Sequence, residues 1–404
     1  MALAGLLIYA WLALSSGLDR IAAADDDSAI LAIWPFHAGA ARAAAEAASI
    51  ARSPAVALVQ AREALRQEPL DARAAGLLGQ AALETGDTAY AARVFSAAAG
   101  LGWREPLTQA YALHGSLERQ DYHAAADHLD ALLRQSPDFA GRNLLLAPFD
   151  AAPAGRAELT ARLAARPAWA QAYFGDTAAV EAGDPLARGE VAERLARTGQ
   201  RDCTLVAPVM AGLLRHGHYG EALAIHAAHC DTAPLAGVAT MPVDGRFVAA
   251  DQAHPRTVFD WHFADDGALS VSFAARPGFP GRAAIVDSAA PTTLAFAEQP
   301  MMAAAGAAVI VTWRARDATG TPSSAIEVAL ACDEGGAPWL AKSLADRTGA
   351  LYQATMTIPA GCPRQRLVLG IAGGTNGVAV GDIRVTVGTF GKAAAKLDNP
   401  HPAG

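Results

Sequence analysis

The chain is predicted to be a multidomain protein, α then β: an α-helical solenoid followed by an antiparallel β-sandwich. Three observations predict this. Between Ser53 and Asp138 a pattern returns every 34 residues, a period at which stacked helical hairpins share apolar faces that none can bury alone. From about Pro255 onward the apolar residues switch to alternation, the period of half-buried strands. The four cysteines fall as two pairs, Cys203 with Cys230 and Cys332 with Cys362, one on each side of that switch.

The first element is Met1 to Leu18, which carries no charged side chain. Its apolar run from Leu3 to Leu14 is shorter than the roughly 20 residues of a full membrane span. A signal peptide's basic start is missing, but Ala22-Ala23-Ala24 before Asp25 has the small side chains of a cleavage site. Residues 1–24 are therefore expected to be an export signal or an uncleaved inner-membrane anchor, with the remainder periplasmic. Both cysteine pairs fit an oxidising compartment, and neither has the close spacing of a zinc or redox site. The net charge of −8, without a Lys/Arg cluster, argues against nucleic acid, whose binding is dominated by basic contacts to phosphates.

Ala38 to Ala51 reads as an alanine-rich helix capping the repeats. Within them, Ser53-Pro54-Ala55, Asp87-Thr88-Ala89 and Asp121-Tyr122-His123 each open a helix at the same phase. Ala91, Val94, Phe95 and Ala98 then mark one face at helical spacing. Leu78-Gly79, Gly86-Asp87, Ala91, Phe95, Ala125 and Pro137 resemble the tetratricopeptide repeat family over residues 71 to 138, with a degenerate copy at 53 to 69. Ala75 or Gly76 stands where that family expects a large aromatic. The resemblance implies a helical repeat domain over 38–235 whose concave groove takes a protein partner. Arg93, Tyr111 and Arg119 are the candidate lining residues, although long polar side chains on helices are by default merely solvated.

Beyond Pro148 and Pro153 the period weakens, yet Arg156 to Ala165, Trp169 to Ala182 and Gly189 to Arg197 still read as helices. Thr204 to Arg215 and Tyr219 to His229 form a further hairpin about the turn Gly217-His218. An antiparallel hairpin brings the start of its first helix beside the end of its second, and Cys203 and Cys230 occupy those ends. A disulfide there would staple it shut.

In the second half, Phe259, Trp261 and Phe263 alternate with polar neighbours. The runs at Leu269–Phe273, Val309–Trp313, Ile326–Cys332, Ala354–Ile358, Leu367–Ile371 and Ile383–Val387 follow, separated by Gly, Pro and Asp clusters. A Cys332–Cys362 bridge would pin the turn at Pro359 to Pro363 to the sandwich edge. Phe259-Asp260-Trp261, Val328 to Cys332 with Trp339 after it, Pro359 to Pro363, and Gly381-Asp382-Ile383 are similar to the carbohydrate-binding-like jelly rolls appended to bacterial tetratricopeptide proteins. The resemblance implies a jelly-roll domain over 252–390, and Val380-Gly381 departs from its pattern beside Asp382. Residues 391–404 are expected to be a disordered tail.

No phosphate loop, dinucleotide fingerprint, H-E-x-x-H or G-x-S-x-G occurs, so no catalytic residue and no cofactor is expected. His216, His218, His226, His229 and Cys230 cluster in sequence, but the turn and the helix end are about 15 Å apart at 1.5 Å per residue, too far for one metal ion. Asp260, Asp265 and Asp266 do not read as a catalytic acid pair. Trp261 and Trp313 share parity with core residues, which leaves Trp339, in a predicted loop, as the candidate ligand contact. The expectation is a non-catalytic exported scaffold. Its repeats would hold a protein and its sandwich a glycan or protein, and by resemblance it would serve exopolysaccharide assembly or export. The alternative is an envelope assembly factor without glycan binding.

Overall fold

The computed structural model of the 404-residue chain describes residues 38–102, 104–137, 141–175, 185–230, 242–250, 257–264, 267–332, 339–340, 344–345 and 351–388. By its contacts the chain divides into two compact units, Met1–Trp169 and Ala170–Gly404.

The described part of the first unit is helical: α1 (Ala38–Ile50), α2 (Pro54–Gln67), α3 (Ala72–Glu84), α4 (Thr88–Ala99), α5 (Pro106–Glu118), α6 (Tyr122–Gln135), α7 (Arg142–Ala151) and α8 (Pro153–Leu163). Helices α1, α3 and α5 begin at 38, 72 and 106, and α2, α4 and α6 at 54, 88 and 122. The 34-residue period thus runs through three complete hairpins. The alanine-rich stretch expected as a cap is the first helix of the first hairpin. Its own phase was hard to read because alanine alone marks its inner face, at Ala41, Ala45 and Ala48.

Acidic caps start four of these eight helices, α3 to α6, and satisfy the orphan N–H groups of a helix start. Asp71, Asp87, Glu105 and Asp121 each accept backbone N–H groups of the following turn. Two of these acids are also held across hairpins. Arg42 of α1 donates to Asp71 at 2.9 Å, and Arg73 of α3 donates to Glu105 at 3.2 Å. Glu105 is almost wholly buried. It fits because α3 passes it with Gly76, where a Cβ would collide with its carboxyl group. Position 76, one of the two where the tetratricopeptide resemblance expects an aromatic, faces a neighbour's buried carboxylate instead. Gly79 plays the same part for the Phe95 ring, which stacks on Tyr111 with centroids 4.3 Å apart. Helix α7 was not expected, because Pro148 lies inside it. Phe149 is nonetheless fully buried, and Gly155 of α8 lets the two helices meet.

The second unit holds α9 (Ala170–Gly175), α10 (Pro185–Arg197), α11 (Cys203–Arg215) and α12 (Tyr219–His229), followed by the sandwich. The Cys203–Cys230 disulfide closes the α11/α12 hairpin, with Cα atoms 4.7 Å apart. Beside it, His229 accepts the Asp202 N–H at Nδ1 and sits 2.8 Å from the Ala192 carbonyl through Nε2. Rings of Tyr219 and His226 meet Phe259 edge-on, and Arg364 donates to the Arg215 carbonyl at 3.1 Å. This hairpin is therefore packed against the sandwich.

The strands are β1 (His262–Phe263), β2 (Leu269–Ala275), β3 (Arg282–Ser288), β4 (Leu294–Met301), β5 (Ala308–Arg316), β6 (Ile326–Cys332), β7 (Trp339–Leu340), β8 (Leu344–Ala345), β9 (Leu351–Thr357), β10 (Gln365–Ile371) and β11 (Thr375–Gly388). They form two antiparallel sheets, ordered β1-β4-β10-β6-β7 and β2-β3-β11-β5-β9-β8. The chain passes between sheets at β1/β2, β3/β4, β4/β5, β5/β6, β7/β8, β9/β10 and β10/β11, the wrapping of a jelly roll. Between the sheets lie Phe247, Trp261, Phe296, Val311, Trp313, Leu330, Leu369 and Val380, among others. Alternation from Phe259 to Phe263 overstates β1, since Phe259 sits in a turn and Trp261 precedes the strand, donating its indole N–H to the Asp244 carbonyl. Strands β3 and β4 were not predicted, their inner positions being largely alanine or interrupted by polar residues.

Among the described residues no helix is long and apolar enough to cross a membrane. The export or anchor segment at 1–24 and the tail at 391–404 lie outside the described residues.

Candidate functional site

Among the described residues, the outward face of the six-stranded sheet carries a cleft. Along β5, Trp313 and Ala315 point into the core, so Arg314 and Arg316 point out. Register places Ala379 of β11 beside Arg316 and Gly381 beside Arg314. The β2–β3 and β5–β6 connections rise over this face and enclose an open cleft of about 430 Å³. Arg276, Phe279, Arg316, Asp317, Thr319 and Ala379 line it, with Gly278, Gly320 and Gly377 between them. Gly278 has φ of +87°, and a Cβ there would come within 3.0 Å of the Arg316 Nε. A side chain would thus be strained and would crowd the guanidinium. The Phe279 ring packs over Gly381, which has no side chain to lift it off the sheet.

The charges in this cleft are unbalanced. Asp317 turns its carboxylate into its own loop: one oxygen accepts from the Thr319 N–H at 2.9 Å, the Thr319 hydroxyl at 2.7 Å and the Thr321 N–H at 2.9 Å. The bond from the Thr319 hydroxyl is the main reason its carboxyl group titrates below the ordinary range. Arg316 donates one N–H to the Gly320 carbonyl at 2.6 Å, while its buried Nε has no partner. Arg276 is exposed and lies at the mouth.

Farther along the same face, a bulge in β11 between Gly381 and Arg384 turns Asp382 to φ of +53°. Asp tolerates this better than most residues. Its carboxylate is buried among guanidinium groups, with Arg384 at 2.9 Å, Arg314 at 3.2 Å and Arg246 at 3.8 Å. Three cations around one acid make it a poor ligand for a metal cation.

The residues singled out from sequence are placed as follows. Trp339 lies not in a loop but in β7, paired with Leu330 on β6 at the edge of the five-stranded sheet. The loop reading followed the Gly335-Gly336-Ala337-Pro338 signal, which breaks the chain just before a two-residue strand. Arg93 is exposed, its guanidinium 5.7 Å from the centre of the Tyr90 ring. Tyr111 is half-buried on Phe95, and exposed Arg119 donates to the Ser116 hydroxyl at 3.3 Å. Cys332 and Cys362 are bonded, with Cα atoms 5.4 Å apart. Trp261 and Trp313 are in the core. His229 is committed to backbone partners and Cys230 to its disulfide, and Asp260 accepts the Thr257 N–H. Among the described residues no group of three His, Cys, Asp or Glu side chains is arranged to hold a metal ion.

Sequence reading did not find Arg276, Phe279 or Arg316. A signal existed: Arg276-Pro277-Gly278-Phe279-Pro280-Gly281 is an aromatic and a cation inside a turn-rich connection. What places it over Arg316 is strand order, and that is a tertiary fact.

No protein-family model matches the chain, and no curated protein matches it. Solved structures match part of it. A carbohydrate-binding module, TmCBM61 in complex with β-1,4-galactotriose, is 15% identical over 36% of this chain and 97% of that one, with a TM-score of 0.24. A structure described as CBM4 is 17% identical over 36% and 99%, with a TM-score of 0.27. The enzymatically active domain of bacteriophage CBA120 tailspike protein 4 is 11% identical over 37% of this chain, with a TM-score of 0.26. The chain spans only 21% of that domain. The expectation of a chain without catalytic activity is corrected by this match, since an enzymatically active domain stands beside the carbohydrate-binding modules and the set does not divide binding from catalysis.

Proposed function

We propose that the β-sandwich binds a glycan in the cleft beneath the β2–β3 and β5–β6 connections. One observation carries this reading: the cleft joins an aromatic side wall at Phe279 to the outward-facing guanidinium of Arg316 on the sheet and that of Arg276 on the β2–β3 connection. Sugars present an apolar C–H face and a rim of hydroxyl groups, and concave sites that hold small molecules combine these two kinds of surface. The volume lies within the range of about 300–1,000 Å³ common to such sites. Titration of the full chain with a panel of neutral and acidic polysaccharides by calorimetry tests it. Saturable binding to at least one polysaccharide is expected, weakened on the order of tenfold in Phe279→Ala, as loss of an aromatic contact would cause. It should be unchanged in Trp339→Ala. Loss in Trp339→Ala alone would move the site to the edge at β7, and absence of binding across the panel would end the proposal.

On the same reading the chain works outside the cytoplasm, where its two disulfides persist. The helical repeats then hold a protein partner, as an accessory of exopolysaccharide assembly or export. Exposed Val56 and Val59, one turn apart on α2, favour a protein surface over a merely solvated one. Cross-linking through a photoreactive side chain at position 59 tests this, and a yield no higher than from exposed Arg119 would count against it.

A further inference from the structure

We infer that the cleft selects an acidic sugar, held by its carboxylate between Arg276 and Arg316. This rests on the glycan reading above and names the class of glycan. The chain as a whole carries a net charge of −8, so a cationic cleft on its surface runs against the average. The local imbalance has a structural origin. The one carboxylate lining the cleft, Asp317, has one oxygen committed to Thr319 and Thr321 of its own loop. No ion pair joins Arg276 or Arg316 to an acid among the described residues, and the Arg316 Nε is buried without an acceptor.

The geometry narrows the class further. Arg316 is already fixed by its bond to the Gly320 carbonyl, so its fork is oriented before a ligand arrives. A planar guanidinium matches a planar carboxylate through two parallel bonds, and Lys would not. Gly278 keeps a side chain from crowding the Arg316 guanidinium. Phe279 supplies the apolar wall against which a pyranose ring can lie while its carboxylate faces the arginines. Next to Phe279, the Asp382 patch is surrounded by Arg246, Arg314 and Arg384. A polyanion leaving the cleft along β11 would therefore continue over cationic surface.

The test is calorimetric titration of the full chain with polygalacturonate, neutral galactan and dextran sulfate, in low and in physiological salt. Polygalacturonate should bind, galactan should bind at least tenfold more weakly, and the uronate affinity should fall as salt screens it. Arg276→Gln should lower uronate affinity on the order of tenfold, the scale of one charge-assisted contact, with galactan unaffected. Arg316→Lys, which keeps the charge but loses the fork, should lower it similarly. Because Arg276 is exposed, its variant tests the proposal even if Arg316→Lys disturbs the loop. Equal binding of galactan and polygalacturonate, with both variants silent, would overturn the acidic assignment and leave glycan binding standing. Equal binding of dextran sulfate would show that charge alone acts and would overturn the carboxylate assignment. Binding of none of them would overturn this inference and, for these sugars, the reading beneath it.

Discussion

Substituting Gly76 by alanine should destabilise the helical repeats, although alanine is the best helix former. By propensity alone the change would stabilise α3 by about 1 kcal/mol. The structure opposes this, since a Cβ at position 76 falls on the Glu105 carboxylate. That carboxylate cannot simply swing away. It caps α5 through the N–H groups of Leu107 and Thr108, takes a bond from Arg73, and its side chain is only 2% exposed. Displacing it loses the cap, about 1 kcal/mol, and leaves a buried acid poorly paired, about 1–3 kcal/mol. The Arg73 side chain is 40% exposed, so solvent screening keeps that second figure toward its lower end. The net expectation is a loss of about 1–3 kcal/mol. Hydrogen exchange of the α3 and α5 amides, alongside urea unfolding followed by far-UV circular dichroism, measures it locally and globally. Glu105→Ala should make room for the new methyl group, so the double variant should be more stable than the sum of the single losses by over about 1 kcal/mol. Gly76→Ala as stable as the parent, or strict additivity with Glu105→Ala, would refute the reasoning.

Two further predictions concern the α11/α12 hairpin. Burial holds the His229 imidazole below its usual value of 6.5, so the unfolded chain binds more protons than the folded one as pH falls through that value. Stability should therefore be full above about pH 6.5 and decline toward the lower folded value; His229→Gln should flatten that acid limb in urea midpoints measured from neutral to mildly acidic pH. The Cys203–Cys230 bridge spans 27 residues, for which loop-closure entropy gives about 3–4 kcal/mol. Serine at both positions should lower the thermal midpoint of the second unit, and an unchanged midpoint under reducing agent would contradict this.

Local chemistry made the helices legible. The starts of α3 to α6 carry Asp or Glu caps, inner faces repeat small and large apolar residues, and the 34-residue spacing survives from sequence into structure. The Cys203–Cys230 pairing was equally readable, because an antiparallel hairpin dictates which ends meet. The sandwich was legible where β-branched residues alternate, as in β5 and β11, and illegible where alanine takes the inner positions, as at Ala284 in β3. The cleft was hidden for a different reason. Arg276 and Arg316 are 40 positions apart in the chain, and only the order β2-β3-β11-β5 brings their connections over one face. Trp339 shows the reverse error, a residue whose local signal was loud and whose strand pairing was not.

The acidic caps held across hairpins have a consequence for how such an array can change length. Asp71 precedes α3 as Glu105 precedes α5, and each is gripped by an arginine of the hairpin before it. Excising residues 72–105 would set Asp71 directly before Pro106, with Arg42 still positioned to grip it and the Leu107 and Thr108 amides still there to be capped. The joint rebuilds itself because each grip involves only adjacent hairpins. Unequal crossing-over in the gene could therefore shorten or lengthen this scaffold by one hairpin with the capped joint preserved, and the Phe95–Tyr111 stack is what the shortened array would give up.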